Sequence, residues 1–186
     1  MTADYFQHEK AIVHPNAKIG SGTRIWAFAN VQEGAVIGKD CKISDGCFIE
    51  KGAVLGDRVT LKNGVSVFDG VTLEDDVFCG VNVAFINDRY PRSCKEDWKL
   101  EKALIRKGAT LGSNATILCG ITVGEYAMVG AGSVVTKNVP AYTIFIGQPA
   151  AFKGYVCRCG LKLGVTYRCS CGLQYNVNAQ GLQLNA

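Results

Sequence analysis

Histidine is almost missing from this 186-residue chain: there are two, His8 and His14, both near the N-terminus. Chemistry that gathers about three imidazoles around one metal, as in a zinc hydratase, is therefore excluded. Proline is scarce as well, at four residues, and no apolar run approaches the ~20 residues of a membrane helix. The first ten residues are polar and mixed in charge, without the apolar stretch of a signal peptide. A cytoplasmic protein is expected, whose nine cysteines are thiols or metal ligands rather than disulfides. Charge of one sign is also in short supply. Twenty Lys and Arg against sixteen Asp and Glu leave +4, too weak and scattered for nucleic acid but suited to small anions such as phosphates. Disorder is excluded by a 48% hydrophobic content. Glycine, by contrast, is plentiful: 22 residues, above the usual ~7% and without a collagen period.

The glycines punctuate a repeat of six. From Val13 to Phe85, every sixth residue is apolar, thirteen in succession. Chance gives such a run with a probability on the order of one in ten thousand. Four positions after each comes a small or β-branched residue, from Ala17 and Thr23 to Val83. The phase breaks after Phe85 and resumes from Ile105 to Val135, with Ala109 to Val139 as companions. Because 85 to 105 is not a multiple of six, residues 86–104 must leave the regular path. A period of six combines the strand period of two with a corner at every third pair. Large aliphatics then point inward, and Gly, Asp or Asn takes the tight backbone at the corners. Three hexads make a triangular coil of 18 residues, giving about six coils stacked by parallel hydrogen bonds. Residues 1–11 are expected as an N-terminal cap, 12–140 as the repeat, 141–156 as a connecting segment and 157–186 as a separate tail.

The hexads, Val-Gly-Ala-Gly-Ser-Val-Val-Thr-Lys-Asn-Val-Pro (129–140) and Ala-Tyr-Thr-Ile-Phe-Ile-Gly-Gln-Pro-Ala (141–150) resemble those of the hexapeptide acyltransferases. Phe-Ile-Asn-Asp-Arg-Tyr-Pro-Arg-Ser (85–93) and Ile-Trp-Ala-Phe-Ala-Asn-Val (25–31) narrow the resemblance to the nucleotide-sugar N-acetyltransferases. Ala27 and Asn30 stand where that subgroup usually carries histidines. The resemblance implies an all-β left-handed parallel β-helix and a homotrimer with active sites in the clefts between neighbours. It also implies acetyl-CoA as cosubstrate and acetylation of an amino group, usually at C3, of a UDP- or dTDP-linked sugar. Such enzymes serve surface polysaccharide (lipopolysaccharide) biosynthesis.

That reaction needs a deprotonated amine beside a thioester. The two histidines precede the first full coil, so the excursion is the better place to look. Asn82 and Asn87 are suited to orient the amine or hold the thioester oxygen. Asp88 is the nearby carboxylate able to accept a proton, or equally to pair with Arg89 or Arg92; otherwise the substrate binds as free amine and the departing thiolate collects the proton. Tyr90 and Arg92 are candidates for substrate, Arg92 and Arg89 for a phosphate or carboxylate. Residues 94–102 read as loop or short helix, with Trp98 pinning it. Gly112-Ser113 and Gly130-Ala131-Gly132 lie one 18-residue coil apart, so they should stack into a strip where a pantetheine arm meets bare backbone. Lys137 and Lys153 are candidates for the CoA phosphates. Trp26 and Phe28 alternate with inward Ile25 and should point outward, to stack on a nucleobase or pack between subunits.

The tail changes character. Cys157-Arg-Cys159-Gly and Cys169-Ser-Cys171-Gly resemble the paired knuckles of a zinc ribbon, although C-x-C is tighter than the usual C-x₂-C. Four thiolates would fill a structural Zn²⁺; the alternative is four reduced thiols in a hairpin. Cys41, Cys47 and Cys79 fill repeat slots as small apolar residues. Competing functions are transfer of another acyl group, O-acetyl transfer, and a non-catalytic β-helix scaffold. A scaffold would need neither the excursion nor the small-residue strip.

Overall fold

The computed structural model describes residues 4–94, 97–178 and 181–185. Two-residue strands recur every six residues, with a turn after each. They gather into three sheets that form the walls of a triangular prism. The first wall runs through Phe6–Gln7, Arg24–Ile25, Lys42–Ile43, Thr60–Leu61, Phe78–Cys79, Thr110–Leu111 and Met128–Val129 to Thr143–Gly147. The second runs from Ile12–Val13 to Val134–Val135 with seven strands, and the third from Lys18–Ile19 to Thr122–Val123 with six. Partners in a wall are parallel and, except across the excursion and at the last rung of the first wall, 18 residues apart, as in Arg24↔Lys42 and Thr60↔Phe78.

The prism is taller than the hexads predict. The first wall has eight parallel rungs against about six expected coils. Phe6–Gln7 and Thr143–Gly147 supply the extra rungs, pairing with Arg24–Ile25 and Met128–Val129. Neither carries the hexad pattern, because an end rung has core on one side only. Thr143–Gly147 then turns back as antiparallel Ala150–Tyr155 and closes that edge of the wall.

The repeat residues do what their spacing requires. Ile25, Ile43, Ile49, Leu55, Leu61, Leu73, Ile105, Leu111 and Ile117 are fully buried along the axis. Ala29, Ala35, Cys41, Cys47 and Ala53 fill the small register beside the corners. Burial pushes the Cys47 thiol up to about 11, so it behaves as a small apolar group. Two members of that register are polar, and both are satisfied. Thr23 donates to the Gly38 carbonyl (2.8 Å) and accepts from the Cys41 amide (3.0 Å). Ser133 accepts from the Gly147 amide (3.1 Å), which ties the last rung down. Among the described residues no buried side-chain nitrogen or oxygen lacks a partner.

The chain leaves the prism after Phe85 and rejoins it at Ala103. Across this excursion partners are 32 residues apart instead of 18, as in Leu73↔Ile105, so fourteen residues are inserted. The excursion replaces one corner between the second and third walls. Among the described residues no helix is long and apolar enough to cross a membrane.

Candidate active site

The 18-residue step decides which candidates share a corner. The corner between the first and second walls carries the triplets 26–28, 44–46, 62–64, 80–82, 112–114 and 130–132, one above another. The amide of Asn82 donates to the Asn63 carbonyl (3.0 Å), that of Asn114 to Val81 (2.8 Å) and that of Gly132 to Ser113 (2.8 Å). The expected strip therefore exists: Gly112-Ser113 lies beneath Gly130-Ala131-Gly132. Its closeness requires glycine. A Cβ on Gly112 would come within 2.4 Å of the Ala131 nitrogen, against backbone that cannot yield. Ala131 itself is exposed, and the Gln148 side chain donates to the Gly132 carbonyl (2.6 Å). Asn82 sits at the left-handed position of its corner (φ 56°), exposed, one rung below Asn114.

Trp26 and Phe28 occupy the same corner near its N-terminal end, four rungs below the strip, roughly 19 Å away at the interstrand spacing. Both point outward as expected, at 42% and 66% exposure. Trp26 packs on Phe6 (ring centroids 5.3 Å apart), and the Lys10 ammonium lies 5.8 Å from the Phe28 ring centre.

The excursion crosses the other corner of the second wall. There Lys51, Asp69 and Asn87 follow one another at steps of 18, and with Glu50, Asp88, Arg92 and Trp98 they line an open cleft of about 380 Å³. Asp88 and Asn87 are half-buried, while Arg92 is exposed. The Asp88 carboxylate accepts the Tyr90 amide (2.9 Å) and otherwise faces the cleft; among the described residues it forms no ion pair. Arg89 is instead held by Glu101 through contacts of 2.6, 2.9 and 3.0 Å, and donates to the Cys119 carbonyl (3.0 Å). Arg92 turns back to the Pro91 carbonyl (2.8 Å). Tyr90, 69% exposed, lines an adjoining hollow with Asp88, Arg89, Asp97, Lys99 and Glu101. Lys95 and Glu96 lie outside the described residues.

Stepping back from Asn87 by 18 reaches Asp69 and Lys51, which the sequence analysis does not single out; Glu50 precedes Lys51 in the chain. The same step puts Lys137 on this corner, above Asn87 and Cys119, and not beside the Gly130 strip. Lys153 stands exposed on Ala150–Tyr155, at the end of the first wall. The two clusters are thus separated on one chain: Asn82 to Asn87 is five residues of nearly extended backbone, roughly 16 Å.

The Arg89–Glu101 clamp gives the excursion a pH dependence. The Arg89 hydrogen bond, partly offset by desolvation, holds the Glu101 carboxyl below its usual value. A depressed carboxyl stabilises above its unfolded value and loses that contribution as pH falls through the folded one. Loop protection is therefore level near neutrality and declines below about pH 4.5. Glu101→Gln removes this decline and raises tryptic cleavage of the loop at pH 7 by about 2- to 5-fold, the range of an exposed ion pair. Identical cleavage in the wild type and the variant would show that the clamp holds nothing.

In the tail, the sulfurs of Cys157, Cys159, Cys169 and Cys171 all lie within 4.8 Å of one another. Burial raises the Cys157 thiol, but hydrogen bonds from Tyr175 and its neighbours bring it down to about 7.

A three-walled parallel solenoid built from hexads, with one extruded loop and a small-residue corner, defines a class, and the comparisons agree with it. The family model described as "Bacterial transferase hexapeptide (six repeats)" matches residues 16–51 and 102–137, and that of the hexapeptide repeat of succinyl-transferase matches 34–69. The dTDP-3-amino-3,6-dideoxy-alpha-D-galactopyranose 3-N-acetyltransferase of Aneurinibacillus thermoaerophilus is 49% identical over 175 residues, covering 90% of this chain and 91% of that one. The chain belongs to the bacterial hexapeptide-repeat transferases. Within them it stands beside that sugar N-acetyltransferase over nearly its whole length. Among solved structures, WeeI from Acinetobacter baumannii shares the fold at a TM-score of 0.51, with 24% identity over 79% of this chain and 57% of that one. GDP-perosamine N-acetyltransferase from Caulobacter crescentus, solved as its H141A mutant with CoA and GDP-perosamine, superposes more loosely. Its TM-score is 0.45 and its identity 26%, over 81% of this chain and 56% of that one.

Proposed function

We propose that this protein transfers the acetyl group of acetyl-CoA to the amino group at C3 of a dTDP-linked 3-amino sugar, for bacterial surface polysaccharide. The observation that carries the reading is the end-to-end likeness, at 49% identity, to an enzyme named for that reaction. The surface supports it by offering two chemically different halves. The bare corner at Gly112, Ser113, Gly130, Ala131 and Gly132 takes the pantetheine arm through backbone groups, and Lys153 stands near that end for the CoA phosphates. Asn82 offers its amide to the thioester oxygen, where negative charge grows in the transition state. On the loop corner Asp88 and Asn87 receive the sugar amine, and Tyr90 and Arg92 receive the rest of the nucleotide sugar.

In the reaction the amine nitrogen attacks the thioester carbonyl and the oxygen takes up charge. The C–S bond then breaks, leaving an amide and CoA thiolate, which takes up the proton the nitrogen loses. Asp88 accepts or holds the earlier proton of the ammonium form. With the halves on different corners of one chain, the complete site lies between two copies. The loop of one meets the strip of its neighbour in a closed homotrimer, which also sets Lys137 of the loop corner near the neighbour's cofactor. Trp26 and Phe28 pack at that interface. The enzyme works in the cytoplasm, where both substrates are made.

The test is thiol release from acetyl-CoA against a panel of dTDP- and UDP-linked 3- and 4-amino sugars. The dTDP-3-amino sugars turn over with the highest kcat/KM. Silence across the panel, together with no CoA binding by calorimetry, refutes the enzyme reading.

A further inference from the structure

The C-terminal unit is too small to hold itself together by burial. Beyond Val156 its core consists of Cys157, Leu163, Tyr175 and Leu182 among the described residues, with the rest at the surface or half-buried. A unit below about 40 residues usually needs a covalent or metal staple. The backbone has built one in duplicate. In the first turn the Cys157 amide donates to the Leu161 carbonyl (2.8 Å) and the Gly160 amide to Cys157 (2.8 Å). In the second the Cys169 amide donates to Leu173 (2.8 Å) and the Gly172 amide to Cys169 (3.0 Å). Gly160 and Gly172 take nearly the same left-handed φ, 92° and 95°. Two like turns thus aim four sulfurs at one point.

The sulfur spacing selects the occupant. Cys157 lies 3.5 Å from Cys171, and Cys159 lies 3.6 Å from Cys169. A disulfide needs about 2.05 Å, and two disulfides would require only two close pairs. Here all six pairs are within 4.8 Å. A tetrahedral ion with metal–sulfur bonds of about 2.3 Å holds its ligands about 3.8 Å apart. The ligand environment is prepared as well. The Tyr175 hydroxyl, 2% exposed, donates to the Cys157 sulfur (3.2 Å) while accepting the Arg158 amide (2.7 Å). An outer donor of this kind orients a ligating sulfur and offsets its charge. Arg158, Lys162 and Arg168, all within the two turns or the chain between them, supply positive charge against four thiolates.

The same residues fasten the unit to the prism. Tyr175 packs against Tyr142 (5.4 Å), Tyr142 stacks on Tyr126 of the corner between Thr122–Val123 and Met128–Val129 (5.5 Å), and the Arg158 guanidinium lies over the Tyr126 ring (5.2 Å). We propose that Cys157, Cys159, Cys169 and Cys171 bind one Zn²⁺ as four thiolates, a structural site that clamps the C-terminal unit onto the end of the prism. All four positions are filled by protein, so the ion takes no part in acetyl transfer and the inference stands apart from the proposed reaction.

Elemental analysis of the full-length protein, purified under reducing conditions, tests it. About one zinc per chain is expected, with the four tail thiols slow to react with a disulfide reagent until a mercurial displaces the metal. The Co²⁺-exchanged protein shows the strong visible bands of tetrahedral thiolate coordination. Cys159→Ser loses the zinc and opens the tail to trypsin after Arg158 and Arg168, while the β-sheet circular dichroism of the prism persists. Tyr175→Phe keeps the zinc but binds it about 10- to 100-fold more weakly against a chelator competitor. Four freely reacting thiols without metal, bound iron in place of zinc, or two disulfides in the protein as purified would each overturn the proposal. The measurements on the unaltered chain decide it even if the serine variant fails to fold.

Discussion

Asp88→Asn lowers kcat/KM for the amino sugar by about 100-fold, as loss of a charged hydrogen bond to the amine requires. The substitution is clean by geometry. Asparagine keeps an oxygen to accept the Tyr90 amide, the one hydrogen bond Asp88 makes among the described residues, so the loop retains its shape. What disappears is the negative charge facing a cleft that Arg92, Lys51 and Trp98 also line. The pH profile divides the effect. If Asp88 accepts the proton, the acid limb of kcat/KM in the wild type flattens in the variant. If it binds the ammonium ion, the limb stays and KM rises. Asn82→Ala serves as the comparison, because it removes from the opposite corner the amide proposed to hold the thioester oxygen. Near-full kcat in Asp88→Asn beside a large loss in Asn82→Ala would end the role of Asp88 and move the chemistry to the cofactor side.

The sequence carried the prism because its signal is repeated. Each inward aliphatic is read against its neighbours six residues away, so single exceptions such as Cys79 or Thr23 do not hide the period. The end rungs were invisible for the same reason. Phe6–Gln7 and Thr143–Gly147 have core on one side and obey no hexad, although both pair in register. Where the candidate site residues fall on the prism was half legible. The step of 18 stacks Gly112 under Gly130 and places Lys51, Asp69 and Asn87 in one column, all computable from numbers alone. It also separates Asn82 from Asn87, and Lys137 from the glycine strip, which grouping by chemical type had joined. The Arg89–Glu101 clamp was out of reach. The loop follows no period, so nothing in the spacing decides which carboxylate Arg89 takes.

Ala131→Glu is expected to raise KM for acetyl-CoA, and the calorimetric Kd for CoA, by about 30-fold or more, the order set by lost packing plus a charge beside the cofactor. Ala131 is exposed and already carries a Cβ, so a longer side chain enters the groove without touching the core. Gly112→Ala is the wrong test. Its Cβ would strike the Ala131 nitrogen at 2.4 Å, so lost activity would report a damaged corner. Ala131→Ser, which adds one oxygen, should change KM by less than about 3-fold. An unaltered CoA Kd in Ala131→Glu would remove the cofactor from this corner. The variant also tests the composite site. If the strip of one copy serves the loop of the next, Ala131→Glu and Asp88→Asn damage different subunits of the same site. Unfolded together, refolded at equal concentrations and assayed with acetyl-CoA below its wild-type KM, where both variants are slow, the two proteins then form mixed trimers in which about a quarter of the sites carry neither change. Activity should return to roughly that fraction of the wild type. A mixture as inactive as its parts would place both halves on a single chain, against the separation of the two corners by the width of the second wall.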